Sequence, residues 1–412
     1  MGIAALVVVG VAAAASGRGG DARASAQTLV VGYRTQADLS RALRGGGVVV
    51  RRLPALHAVE VRTAEPASSL RRAPGIRFVS VPVARLSAAE PALARSSASA
   101  AAAWEWEYAG AHEDGVPADV LRAAASIRIA VIDTGADLTA PDLASKSPTS
   151  YNTRTGTGDV RDVNGHGTFV ASIAAGSVTN GDGMDGFGGD AQLLVVKAGS
   201  DDGTFTDVDE AAGIMYAIDH GAQIVNLSFG GPGTTPIERN AIQYAIRQGA
   251  LVVAAAGNEY GQGNPVEYPA ALLQPVGSDG AGGAGLSVGA SNQVGTRAGF
   301  SNTGTWISLA APGTNVFGDV SSLSSPVSYP RAALPGSSAG LYGYASGTSF
   351  AAPQVSGAAA LVWAANPALT PAAVTDILKQ TASGHGVWTP TLGFGVLNVA
   401  AAVDRAANGQ HS

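Results

Sequence analysis

The sequence predicts an α/β protein: a doubly wound, mostly parallel sheet with helices on both faces, preceded by a small ferredoxin-like α+β unit. Three observations lead there. From about residue 104 onward, continuous apolar runs of strand length alternate with longer helical stretches, the pattern of strands buried on both sides. Ahead of them, residues 27–87 alternate short strands and short helices in βαββαβ order. With 412 residues, 46% of them hydrophobic and 14% charged, the chain can fill one large core and an accessory one, which excludes global disorder.

Residues 1–26 read as a signal peptide. An apolar run at 3–15 is too short to span a bilayer, and the small-residue sites Ala22-Arg23-Ala24 and Ala24-Ser25-Ala26 follow it. Met1-Gly2 brings no Lys or Arg ahead of that run, so the start of the chain is the weak part of the pattern. A secreted, extracellular protein is expected, with no membrane partner once the signal is removed. In the 27–87 unit, strands are predicted at 28–33, 48–50, 57–61 and 76–81, with short helices at 37–43 and 67–72. From residue 84 the composition turns to Ala, Ser and Pro, an exposed linker whose part at 88–103 is the natural place for a processing cut. The main unit, 104–407, carries predicted strands at 127–132, 192–196, 223–227, 251–256 and 286–289. Helices at 208–220 and 236–248 are each closed by a glycine, Gly221 and Gly249.

Composition removes several function classes. There is no cysteine, which excludes disulfides, thiolate catalysis and Cys-ligated zinc. Net charge is −6, but it is unevenly spread: residues 1–95 hold 13 basic against 5 acidic groups, and the rest 12 against 26. A basic leader on an acidic body predicts electrostatic complementarity between the two, and the acidic total argues against a nucleic-acid partner.

The chemistry-bearing motifs sit just after predicted strands or at helix starts, where open α/β sheets bind ligands. In Gly347-Thr348-Ser349-Phe350-Ala351-Ala352-Pro353 a hydroxyl stands at the start of an Ala-rich helix, beside backbone N–H groups without intrahelical partners. Pro353 is tolerated in the first turn for the same reason. Asp133 ends the strand Ile129-Ala130-Val131-Ile132-Asp133, and His166 opens a helix in Asn164-Gly165-His166-Gly167-Thr168-Phe169-Val170-Ala171. A hydroxyl becomes a nucleophile only when a neutral imidazole takes its proton, and a carboxylate is needed to hold that imidazole in the right tautomer. Singly, each residue reads equally well as a helix cap or a turn residue. Together, in the order Asp, His, Ser, they form a catalytic constellation.

With these residues in place, the stretch from about 104 to 404 resembles the subtilisin-like (subtilase) serine proteases. The resemblance extends through Asn226-Leu227-Ser228-Phe229-Gly230-Gly231, Ala255-Ala256-Gly257-Asn258, Phe300-Ser301-Asn302, Ala311-Pro312-Gly313 and Leu392-Gly393-Phe394-Gly395. It implies that Ser349 is the nucleophile, His166 the general base, Asp133 its orienting acid and Asn258 an oxyanion donor. It also implies that Ser228, Phe229 and Gly230 form one edge pairing with an extended substrate, and the loop around Gly203 the other. The wall Ala255, Ala256 and Gly257 leaves room for a large apolar side chain just before the cleaved bond, with broad specificity otherwise. A cis Tyr268–Pro269 bond is implied as well, and so is a structural calcium ion held by Asp142 and Asn180. The leader resembles an inhibitory propeptide, so a monomeric zymogen that cuts itself between Ser87 and Trp104 is expected. Phe169 stands where many relatives have a second histidine, and the Ser/Pro/Gly-rich stretch 318–342 reads as an inserted surface loop.

Three rivals are weighed against this. A Ser-Glu-Asp enzyme is disfavoured by His166 in its Gly-flanked setting. An α/β-hydrolase esterase would need a Gly-x-Ser-x-Gly elbow and the order Ser, acid, His. A peptide-binding scaffold without activity would be expected to have lost one of the four key residues.

Overall fold

The computed structural model describes residues 26–87, 109, 115–179, 184–329, 331–332 and 342–409. The expected signal peptide (apart from residue 26) and the linker at 88–103 lie outside the described residues. Seven parallel strands form the main sheet in the order Leu309–Pro312, Leu286–Ser291, Leu251–Ala255, Ile224–Leu227, Arg128–Asp133, Gln192–Lys197 and Thr149–Asn152. The earliest of these in sequence, Arg128–Asp133, lies between Ile224–Leu227 and Gln192–Lys197, so the winding direction reverses there. That is a topological switch point, and Asp133 sits at its carboxyl end.

Successive side chains on a strand point to opposite faces. Ile129, Val131, Val195 and Val253 therefore enter one core with the helices His166–Ala175, Thr348–Ala365 and Pro371–Thr381. Ala130, Ile132, Val196 and Val252 enter a second core with Asp207–Asp219 and Pro236–Arg247. Helices on both faces are what the apolar strand runs predict. Thr206 starts Asp207–Asp219 with a reciprocal capping box to Asp209, and Thr235 caps Pro236–Arg247 behind a first-turn proline. The predicted stops hold too: Gly221 and Gly249 have φ of 79° and 80°, a left-handed conformation that suits glycine.

The N-terminal unit is a four-stranded antiparallel sheet in the order Val48–Leu53, Ala58–Thr63, Gln27–Tyr33, Ile76–Ser80. Leu29, Val31, Val59 and Val61 face its own helices Gln36–Ala42 and Ala67–Arg72. The opposite face gives Val30, Leu53 and Ala58 to the second core of the large sheet, so the small sheet is covered on both sides. Charge complementarity appears at the join, where Arg51 meets Asp209 at 2.8 Å.

The structure departs from the sequence reading in three places. Thr149–Asn152 and Leu309–Pro312 are additional strands, each too short to show a period of its own. The stretch 318–342 is not simply a surface loop: it starts inside the buried strand Val316–Asp319, which pairs with Tyr342–Ala345, and Arg331–Ala332 adds a third strand. Nor does the exposed linker begin at residue 84, because Ala84–Leu86 is a strand paired with Thr204–Thr206 and Arg85 is buried. In both cases the partner strand is far away in sequence, and local composition cannot report it.

Candidate active site

The Asp133 side chain is buried at the sheet's carboxyl edge, and its Oδ1 lies 2.8 Å from His166 Nδ1. The same oxygen accepts the Thr134 N–H at 2.7 Å. His166 is in position because its flanking glycines permit close approach. A Cβ on Gly167 would lie 2.1 Å from the Gly135 carbonyl oxygen, and Gly165 adopts φ 97°. Beneath this loop the buried Asp162 carboxylate accepts from Thr134 Oγ1, the Gly165 N–H, the Thr168 N–H and Thr168 Oγ1, all at 2.7–2.8 Å. Asp162 was missed by sequence reading; only its place between two motifs hinted at it.

Ser349 is the second residue of the helix Thr348–Ala365, so its N–H belongs to the first turn, which has no intrahelical acceptor. Its hydroxyl donates to the Ser228 carbonyl at 2.9 Å, and Ser228 Oγ donates to the Ser349 carbonyl at 2.8 Å. His166 Nε2 is buried and accepts no hydrogen bond in this arrangement. The carboxylate and imidazole are thus hydrogen-bonded, whereas the hydroxyl is turned to Ser228. Asn258 is held by Thr348, whose N–H and Oγ1 both donate to Asn258 Oδ1 at 2.9 Å. Two donors on one atom fix that atom as the oxygen, so the amide N–H₂ end points away from Thr348. Thr348 Oγ1 in turn accepts the Gly257 N–H at 3.1 Å.

An extended strand of the chain's own leader runs through this place. Leu86 exchanges both backbone hydrogen bonds with Gly230, at 2.9 and 3.1 Å, and the Ser87 N–H donates to the Gly203 carbonyl at 3.0 Å. The Ser228–Gly230 and Gly203 edges predicted from sequence therefore lie on either side of one extended segment. Gly203 has φ 83°, and a Cβ there would approach Ser87 Oγ at 2.9 Å.

A subtilase family model (peptidase S8) matches residues 124–398. The chain is 36% identical over 273 residues to the thermophilic serine proteinase of Bacillus sp. strain AK1, a match covering 66% of this chain and 60% of that protein. It is 34% identical over 276 residues to subtilisin BL of Lederbergia lenta, covering 67% and 90%. Among solved structures it resembles fervidolysin from Fervidobacterium pennivorans, described as a keratinolytic enzyme related to subtilisin. There the TM-score is 0.76 and the identity 25%, over 94% of this chain and 62% of that one. The chain belongs to the subtilase family. The match spans about three fifths of the length of the Bacillus relative.

In this subtilase a pocket opens beside Ser349, lined by Phe229, Gly230, Gly231, Ala255, Gly257 and Asn258, together with Glu259 and Glu267. Ala256 faces the second core instead, and Phe229 stacks on Phe205 with ring centroids 4.4 Å apart. Ala255 and Gly257 of the wall inferred from sequence line this pocket, and two carboxylates share the lining with them. Glu267 is only 4% exposed, and burial, with Glu259 adding repulsion, pushes its carboxyl up to about 8, against a smaller opposing pull from Arg85. Glu259 Oε2 accepts the Asn258 N–H at 2.7 Å. Gly257 is needed here, since its φ is 99° and a Cβ would lie 2.6 Å from Glu267 Cγ. Glu267 is placed by the two-residue strand Glu267–Tyr268, which pairs with Gly231–Pro232 and leads into the Tyr268–Pro269 bond, cis as the resemblance implied.

Two residues are expected to hold calcium. Asp142 is buried and accepts the Met184 N–H at 3.0 Å, while Asn180 lies outside the described residues. The sequence did not single out Asp319, whose carboxyl burial and the adjacent Asp142 push well up. Among the described residues no group of three or more His, Cys, Asp or Glu side chains is arranged to hold a metal.

Proposed function

We propose that the protein is a secreted serine endopeptidase made as a self-processing zymogen. The observation that carries the reading is the leader segment at 84–87, bound as an extended strand between two backbone edges beside Ser349. On this reading residues 1–26 are the signal peptide, 27–87 the inhibitory propeptide, 88–103 the linker with the processing site and 104–407 the catalytic domain.

Ser349 attacks the peptide carbonyl once its hydroxyl turns from Ser228 to His166 Nε2. His166 takes the proton and returns it to the leaving amine, and Asp133 holds the ring with Nδ1–H and stabilises the imidazolium. The oxyanion is met by the Ser349 N–H and the Asn258 amide, whose orientation Thr348 sets. Acyl-enzyme hydrolysis then repeats the proton relay with water. Specificity is otherwise broad: the wall of Ala255 and Gly257 leaves room for a large apolar side chain just before the cleaved bond, and Glu267, once ionised, favours a basic one there. Asp142 and Asn180 would hold a structural Ca²⁺, a hard ion suited to oxygen donors, with no part in the chemistry. Secretion rests on the N-terminal pattern. Among the described residues, no helix is long and apolar enough to cross a membrane.

Intact mass and N-terminal sequencing of wild type beside Ser349→Ala test this. The wild type should lose its leader at a bond between Ser87 and Trp104 and label with a fluorophosphonate, and the variant should do neither. Normal maturation of pure Ser349→Ala, or an unlabelled wild type, would contradict the reading; the second result would favour a peptide-binding scaffold.

A further inference from the structure

Arg85 carries the only guanidinium among the described residues that is wholly shielded from solvent, and it comes from the leader. Its Nε and Nη2 both donate to Glu238 Oε1, at 3.1 and 2.6 Å, and Nη2 also donates to the Gly233 carbonyl at 3.1 Å. Nη1 donates to the Ala84 carbonyl at 3.0 Å, and Glu210 Oε2 lies 3.6 Å from Nε. Glu210 and Glu238 are themselves fully buried, on the helices Asp207–Asp219 and Pro236–Arg247. Both oxygens of Glu210 and Oε2 of Glu238 accept no hydrogen bond. The neighbouring Asp207 is occupied otherwise, accepting the Val83 N–H and the Thr235 hydroxyl. Buried carboxylates set side by side are costly unless a cation joins them. Burial and Glu238 accordingly raise the Glu210 carboxyl well above its usual range, and Arg85 opposes that shift.

The register gives the place filled by Arg85 a meaning for substrates. The leader runs antiparallel to the Ser228–Gly230 edge with Leu86 opposite Gly230. A peptide continuing in that register brings its second residue past the Leu86 position opposite Ser228, whose carbonyl accepts the Ser349 hydroxyl. The carbonyl of that residue is the one within reach of Ser349. Counting back, the place held by Arg85 is the fourth residue before the bond to be cut.

Resting on the endopeptidase reading above, we propose that this enzyme selects substrates with arginine four residues before the cleaved bond, read by Glu238 and Glu210. The leader's Arg85 then occupies a substrate subsite, which makes the leader a substrate-like plug. Arginine suits the site better than lysine, because a planar fork can reach Glu238 and the Gly233 carbonyl at once and a single ammonium cannot. Leucine would leave Glu238 without its two guanidinium donors and the Glu210–Glu238 pair without a counter-charge.

The test uses the full chain after self-processing and fluorogenic peptides identical except at that fourth position: Arg, Lys, Leu or Glu. Arginine should exceed leucine in kcat/KM by about 10- to 100-fold, the range for a charge-assisted buried hydrogen bond, with lysine between them. Glu238→Gln should shrink the ratio and Glu238→Leu should invert it. Should either variant fail to fold, the wild-type series decides alone. Equal rates for Arg and Leu in an enzyme that cleaves both would overturn the inference and leave the endopeptidase reading standing. No turnover of any peptide, together with no fluorophosphonate labelling, would overturn both.

Discussion

The acidic pocket beside Ser349 makes a pH-dependent preference the sharpest consequence of the structure. Glu267 is nearly buried, and its carboxyl is raised to about 8 by burial and by Glu259. It is therefore neutral at pH 6 and charged at pH 9. A basic side chain just before the cleaved bond needs the charged form, so selectivity for it should rise with pH. For one site at about 8, roughly a tenth is ionised at pH 7 and roughly nine tenths at pH 9, so the preference should grow about tenfold between them. Above pH 9 it should level off. Arg85 exerts a smaller opposing pull on Glu267, which an arginine of the substrate in the same place would restore. The assay is the ratio of kcat/KM for two peptides that differ only in Arg or Leu at that position, with Arg kept four residues before the bond in both. Because both peptides meet the same free enzyme, any pH dependence they share cancels in the ratio. Glu267→Gln should flatten the profile. A ratio constant from pH 6 to 9.5, or leucine preferred at pH 9, would refute the assignment of Glu267 to substrate selection.

Three further outcomes follow from the structure. Asn258→Leu should lower kcat by about 10²–10³ with little change in KM, as expected for an interaction made only in the transition state. Thr348→Val should cost less, about tenfold, by removing one of two donors to Asn258 Oδ1 and the acceptor of the Gly257 N–H; Thr348→Ser should recover most of the loss. For calcium, thermal melts with and without EDTA should differ for wild type and coincide for Asp142→Asn, and identical wild-type midpoints would remove the ion.

Much of the fold was legible because its signals are local. Strands such as Arg128–Asp133 and Ile224–Leu227 are buried on both sides and therefore read as unbroken apolar runs. The helices between them announce their ends through Thr206, Thr235, Gly221 and Gly249. The four-strand leader showed its order for the same reason, whereas Thr149–Asn152 and the strands around 316–345 did not, since they owe their conformation to distant partners.

The site divides along the same line. Asp133, His166, Ser349 and Asn258 stand out in sequence because each sits in a Gly- or Ala-rich motif that admits few other roles. The carboxylates proposed to shape selectivity do not: Glu210 and Glu238 lie in the first turns of their helices, where acidic residues are ordinary, and Glu267 stands in the two-residue strand Glu267–Tyr268. Sequence alone determined the chemistry this chain can carry, since motifs record what the backbone must do around a reactive group. Only the tertiary structure decided which carboxylates are taken out of water, because the burial of Glu210, Glu238 and Glu267 depends on segments that are remote in sequence.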